Sequence, residues 1–214
     1  MPSPHESQTA PVLVLCGIDH TLIETRGVGF AIYQRAFSAA TGRPLDQLAQ
    51  IAGRTELDIM RETLRVNGVE PTDDAVERLA AALVHGYDDA RDELAATGRA
   101  LPGALATLQV LAADPRVHQG VLTGDLRDVA RIKLEVFDLV THLDLDASAH
   151  GNDHPDRARL LPSPEPSIRT GRRFLDDAHT VLLGDIPNDV QAAATAGVRV
   201  IAIDRSLSRC LRPD

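Results

Sequence analysis

Tryptophan is absent, aromatics make up 3% of the 214 residues, and lysine occurs once, at position 133. A folded core must therefore be assembled from Ala, Val, Leu and Ile, which a hydrophobic fraction of 43% supplies. Runs of about 18 apolar residues are also missing, so no membrane-spanning helix is expected. The N-terminal MPSPHESQTA has neither the basic nor the apolar region of a secretory signal and reads as a short lead over residues 1–10. The two cysteines, Cys16 and Cys210, lie far apart without metal-type spacing. Cys16 falls in an apolar run and reads as a buried thiol, which together with the polar lead points to the cytoplasm. A basic excess is lacking too. With 22 Lys and Arg against 31 Asp and Glu the net charge is −9, which argues against broad contact with a nucleic-acid backbone. It leaves room for a small charged ligand at a local site.

What is present is a recurrent pattern. Val12–Cys16 is a continuous apolar run ending at Gly17, and Gly120–Thr123, Thr180–Gly184 and Val198–Ile203 resemble it. Such runs suit strands buried on both faces, and their alternation with helix-like stretches predicts an α/β fold with a Rossmann-like parallel sheet. Ligands of such sheets bind at the carboxyl ends of the strands, so the residues after each run carry the interest. Between the first and second runs the chain reads as helical. Apolar residues recur at helical spacing over Val28–Ala40, with Gly42 as a stop, and again over Thr55–Val66. Thr72 is set to cap a long Ala- and Leu-rich stretch reaching Leu94. One crossover helix would suffice there, so residues 26–96 are expected to form a small helical cap, and 11–25 with 97–214 the α/β core. Pro162–Pro166 reads as a surface loop.

Four strand ends carry candidate chemistry. The first reads Cys16-Gly17-Ile18-Asp19-His20-Thr21, and the second Leu122-Thr123-Gly124-Asp125. Arg157 follows in Gly151-Asn-Asp-His-Pro-Asp-Arg, with Arg159 as a neighbouring alternative. The last is Gly184-Asp185-Ile-Pro-Asn-Asp189, leading into an Ala-rich stretch. Taken one at a time, Asp19 could be a turn residue and Asp185 a helix cap. In this order, at four expected strand ends, they resemble the haloacid dehalogenase-like superfamily of phosphohydrolases, and with a helical cap its phosphoglycolate-phosphatase-like subgroup. The resemblance runs from Val12 to about Asp204.

That resemblance implies magnesium-dependent hydrolysis of a small phosphate monoester. Asp19 would be the acid that protonates the leaving group and then activates water. Thr123 and Gly124 would hold phosphoryl oxygens, and Arg157 would stand where the family places a lysine. Lys133 follows Thr123 too closely to fill that role. Asp19, Asp185 and Asp189 would hold Mg2+, and Arg54, in Ala52-Gly53-Arg54-Thr55, would face the substrate from the cap. One position departs from the family: Gly17 stands where the nucleophilic aspartate belongs. Glycine has no nucleophile to offer, and its presence also removes a negative metal ligand. The expectation is thus a phosphatase scaffold that is impaired or inactive and binds Mg2+ weakly, or else a non-catalytic module that binds a phosphorylated ligand or a protein. The cluster Asp144, Asp146, His150, Asp153 and His154 matches no common metal spacing and reads as a solvated acidic stretch.

Overall fold

The computed structural model describes residues 11–160, 179–185 and 198–203. The chain starts with strand β1 (Val12–Cys16) and a short strand β2 (Ile23–Glu24). Four helices follow: α1 (Val28–Thr41), α2 (Glu56–Val66), α3 (Asp73–Asp89) and α4 (Arg91–Thr97). Strand β3 (Arg99–Ala100) pairs antiparallel with β2 and ties the two ends of this helical unit together. Helix α5 (Ala104–Ala112), strand β4 (Val117–Val121), helix α6 (Arg127–Val136), strand β5 (Thr180–Gly184) and strand β6 (Arg199–Ala202) complete the described elements.

The main sheet has the order β4-β1-β5-β6, with every pairing parallel. β1 lies inside it, which explains its unbroken apolar sequence. Leu13 and Leu15 enter one core with Leu122, Leu160 and Leu182. Val14 and Cys16 enter another with Ala104, Leu108, Ala130 and Leu134, as the two-residue period of a strand requires. Because β4 and β5 flank β1 on opposite sides, the chain reverses its direction of travel across the sheet at β1 and β5. A crevice outside the carboxyl ends of these strands is the place where such sheets take ligands.

The helical unit follows from local signals. Thr55 caps α2 by accepting from Asp58 N, and Thr72 caps α3 by accepting from Ala75 N, each with acidic residues in the first turn against the helix dipole. The stretch expected to run unbroken to Leu94 is two helices, α3 and α4, meeting at Ala90. The unit also shares a core with the sheet layer, since Leu126, Val129 and Ile132 near and on α6 pack among Ile32, Phe37, Leu79 and Leu83. Arg91 of α4 pairs with Glu135 of α6 at 2.9 Å across the same junction. No helix among the described residues is long and apolar enough to cross a membrane.

Candidate active site

The register of the sheet brings the expected strand ends together. Cys16 lies opposite Val121 of β4 and Leu183 of β5, so Gly17–Asp19, Leu122–Thr123 and Gly184–Asp185 leave the sheet side by side. Leu122 N donates to Cys16 O at 3.0 Å, and Gly17 N donates to Leu183 O at 2.8 Å, extending both pairings past the strands. His20, at φ 64, then turns the chain sharply after Asp19 and donates its N–H to Ile23 O at 2.8 Å. Histidine is one of the few non-glycine residues that adopts this left-handed region readily.

At the centre stands the lysine that spacing ruled out. Lys133, on the buried face of α6, is only 3% exposed. Its ammonium donates to Asp19 Oδ2 at 2.7 Å and to both Asp125 oxygens at 2.9 Å, and it lies 5.3 Å from the Tyr87 ring of α3. Burial by itself would lower the lysine, but Asp125 and Asp19 hold its pKa well above the ordinary value. Burial likewise works to raise the Asp19 carboxyl, and the Lys133 ammonium overrides it and holds Asp19 below the usual carboxylate range. Asp125 is more deeply enclosed and is pushed up to about 6 by burial and by the like charge of Asp19. Asp19 is therefore held as a carboxylate against the Lys133 ammonium.

The Thr123-Gly124 turn lies against the helical unit. Glu56 N donates to Gly124 O at 2.7 Å, and Thr55 Oγ1 donates to Pro155 O at 2.7 Å, so the start of α2 is fixed on two loops of the sheet layer. The approach is close enough to demand glycine. A methyl built on Gly124 would lie 2.4 Å from Arg54 O and 3.0 Å from Arg157 Nη1, and one on Gly151 would fall 1.7 Å from Gly124 O. Arg157 thus lies beside the Thr123-Gly124 turn, whereas Arg159 is exposed. Arg54 faces Gly124 with its carbonyl. Its guanidinium turns back to Asp58, at 2.5 Å from Oδ2, and to Gln50 O at 3.3 Å. Asp125 N donates to Thr123 Oγ1 at 3.1 Å, leaving the hydroxyl proton for another acceptor. No described residue accepts from Gly124 N–H.

Two titratable groups sit beside these residues without belonging to any motif. The Cys16 thiol adjoins Gly17, but burial pushes it up to about 12, so it supplies no thiolate in place of the missing nucleophile. The Glu56 carboxyl of α2 is pushed up to about 7 by burial and by the Asp125 charge. Since its unfolded value lies near 4.5, the folded chain keeps a proton that the unfolded chain releases between these pH values, and stability falls as pH rises across that window. Glu56→Gln is expected to flatten this dependence, gaining up to roughly 3 kcal/mol at pH 8 relative to pH 5. Urea unfolding at the two pH values measures it. An unchanged pH slope would show that the carboxyl is solvated.

Magnesium takes oxygen ligands in an octahedron. The described residues do not complete such a set. Gly17 adds no side-chain oxygen, Asp19 gives Oδ2 to Lys133, and Asp185 stands at the end of β5. Asp189 lies outside the described residues, as do the Pro162–Pro166 stretch and Cys210. Among the described residues no three acidic, histidine or cysteine side chains group as metal ligands. This includes the acidic stretch, where Asp144 Oδ1 instead accepts from Asp146 N and Ala147 N.

Against known families, the profile described as haloacid dehalogenase-like hydrolase matches residues 14–203, well over half of the chain. The chain belongs to that family. Haloacid dehalogenase-like hydrolases generally use Mg2+. Among solved structures the fold is similar to CbbY from Rhodobacter sphaeroides in complex with phosphate, with a TM-score of 0.65 at 20% identity over 90% of this chain and 85% of that one. It is also similar to a hydrolase from Pseudomonas syringae, with TM-score 0.58 at 19% identity over 94% and 90%. A predicted phosphoglycolate phosphatase from Haemophilus somnus gives TM-score 0.55 at 17% identity over 94% and 91%. At these identities the likeness is one of fold. A comparison with curated proteins finds no match.

Proposed function

We propose that this haloacid dehalogenase-like chain binds a small phosphate monoester at the carboxyl edge of β4, β1 and β5, under a helical cap formed by residues 26–96. In this reading it hydrolyses the ester poorly or not at all, because position 17 carries no carboxylate. The observation that carries the reading is the Thr123-Gly124 turn, where an open N–H, a hydroxyl proton and the Arg157 guanidinium meet at the ends of three strands. Backbone amides next to glycine, a hydroxyl and a guanidinium are the donors that phosphoryl oxygens take. Lys133 holds Asp19 in place behind them, and Asp19, held ionised, orients water or an attacking group.

Magnesium is expected to bind weakly, through Asp185, Asp19 and Asp189. The acidic net charge and the small polar site favour a small phosphorylated molecule in the cytoplasm over nucleic acid or membrane. The absent carboxylate supports a second reading, a module that binds a phosphorylated ligand or a protein without turnover.

Binding of inorganic phosphate, followed by calorimetry, tests the site itself. The chain as it stands is expected to bind phosphate, and Gly124→Ala, whose methyl meets Arg54 O at 2.4 Å, to bind it at least tenfold more weakly. This loss corresponds to about 1.4 kcal/mol. Equal affinity in the two proteins would remove the Thr123-Gly124 turn from the site.

A further inference from the structure

Every polar group of Asp125 is engaged with another part of the strand-end site. Its N–H donates to Thr123 Oγ1 at 3.1 Å, its carbonyl accepts from Gly151 N at 2.6 Å, and both carboxylate oxygens accept from Lys133 Nζ at 2.9 Å. The same ammonium donates to Asp19 Oδ2 at 2.7 Å. Asp125 thus reaches the Thr123 hydroxyl directly, through its backbone, and Asp19 at one remove, through its side chain.

An ammonium has three protons to donate, and here three carboxylate oxygens meet it. A helical side chain leans towards the N-terminal end of its helix, and Asp125 lies just before that end of α6, so Lys133 comes back to it from further along the helix. The lysine is 3% exposed, and the Tyr87 ring stands 5.3 Å from its Nζ. A lysine stem is flexible, and an ammonium held by Asp19 alone could pivot about that one bond. The two bonds from Asp125 remove this freedom. An ion pair needs only one acid, however. The second puts surplus negative charge into a covered space, which costs stability. Folding alone gives no reason for it, whereas fixing the direction of Asp19 does.

We propose that Asp125 is a positioning residue for Asp19, acting through the Lys133 ammonium. The inference rests on the phosphate-ester reading of the site, in which Thr123 holds a phosphoryl oxygen and Asp19 orients the attacking group. These two residues follow different strands, β4 and β1, and must keep one separation to act on the same ester. A misplacement of about 1 Å can cost roughly 100-fold in rate. Asp125 joins the two, by its backbone to one and by way of Lys133 to the other.

Asp125→Asn separates these links, because it keeps both backbone bonds and leaves Lys133 and Asp19 as a one-to-one ion pair. In the full chain carrying Gly17→Asp, it is expected to lower kcat for p-nitrophenyl phosphate with magnesium about tenfold to 100-fold. KM and the affinity for inorganic phosphate should stay within about threefold, whereas a change that merely loosened the fold would weaken both. A second readout needs no turnover. Lysine occurs once, so protein labelled with 15N at lysine gives a single ammonium signal. Its protons should exchange slowly with water in the chain as it stands, and at least tenfold faster after Asp125→Asn. Exchange as fast as that of free lysine in the unsubstituted chain overturns the proposal before any variant is made. Unchanged exchange or unchanged kcat in Asp125→Asn, or a loss of phosphate affinity equal to the loss in kcat, overturns the role of Asp125 and leaves the phosphate-ester reading standing. No turnover by the Gly17→Asp parent overturns both.

Discussion

Gly17→Asp is expected to raise the turnover of small phosphate monoesters by several powers of ten. Removing the nucleophile from a well-studied hydrolase costs about six powers of ten in kcat, equivalent to roughly 8 kcal/mol of barrier. Position 17 can accept the change. Gly17 is not among the residues with positive φ, so its backbone is one that any residue adopts. A methyl built there would meet Thr21 Oγ1 at 2.8 Å and Leu183 O at 3.6 Å. The first contact is short, but Thr21 Oγ1 is buried without a hydrogen bond among the described residues, so rotating it away breaks none. The new carboxylate would emerge between Thr123 and Asp185, two residues before Asp19, where the register puts both acids at one edge. It would also restore an oxygen ligand, so magnesium affinity should rise with activity. Steady-state assays on a panel of phosphate monoesters, with and without Mg2+, measure both. A folded Gly17→Asp protein whose turnover stays within tenfold of its parent would sink the reading of position 17 as a vacated nucleophile and favour the binding-module alternative.

The restored site depends on features that were unequally legible in the sequence. β1 and β5 could be read because a strand enclosed on both faces must be apolar throughout, and Val12–Cys16 and Thr180–Gly184 are. β4 starts three residues before the apolar run Gly120–Thr123 and ends two residues before its end. It includes Gln119, whose burial is made tolerable by donation from Nε2 to Leu108 O at 3.0 Å, a partner invisible to periodicity. The β2–β3 pair has two residues per strand and no local signature at all. Asp19, Thr123 and Asp185 were found because they follow strands. Lys133 lies too close to Thr123 for the familiar spacing, which is blind to what the helix buries. A usable signal was there: Leu126, Val129, Ala130 and Lys133 share one helical face, and a lone lysine on an apolar face needs a carboxylate partner. Glu56 offered no such clue. In sequence it is an ordinary first-turn acid, and its enclosure arises only from how α1, α3 and α6 surround it.

Lys133→Met should be among the most destabilising single changes in the chain. Methionine fills much of the same volume and suits the apolar face of α6, so little of the loss comes from packing. The loss comes from what stays behind. Asp19 and Asp125 would face one another in a covered space with no ammonium between them, and removing one partner of a buried ion pair costs about 3–5 kcal/mol. For a chain of this size that is roughly 10 °C or more in Tm. The pH dependence identifies the cause. Without Lys133 both carboxyls titrate at higher pH in the folded chain than in the unfolded one, so the folded form gains protons as pH falls and the deficit narrows from pH 8 towards pH 5. Asp125→Asn in the Lys133→Met background should recover part of the stability at pH 8, because it removes one of the two stranded charges. A Lys133→Met protein within 1 kcal/mol of its parent at pH 8, or one whose deficit widens at low pH, would mean that Lys133 is not the ion holding these two acids together.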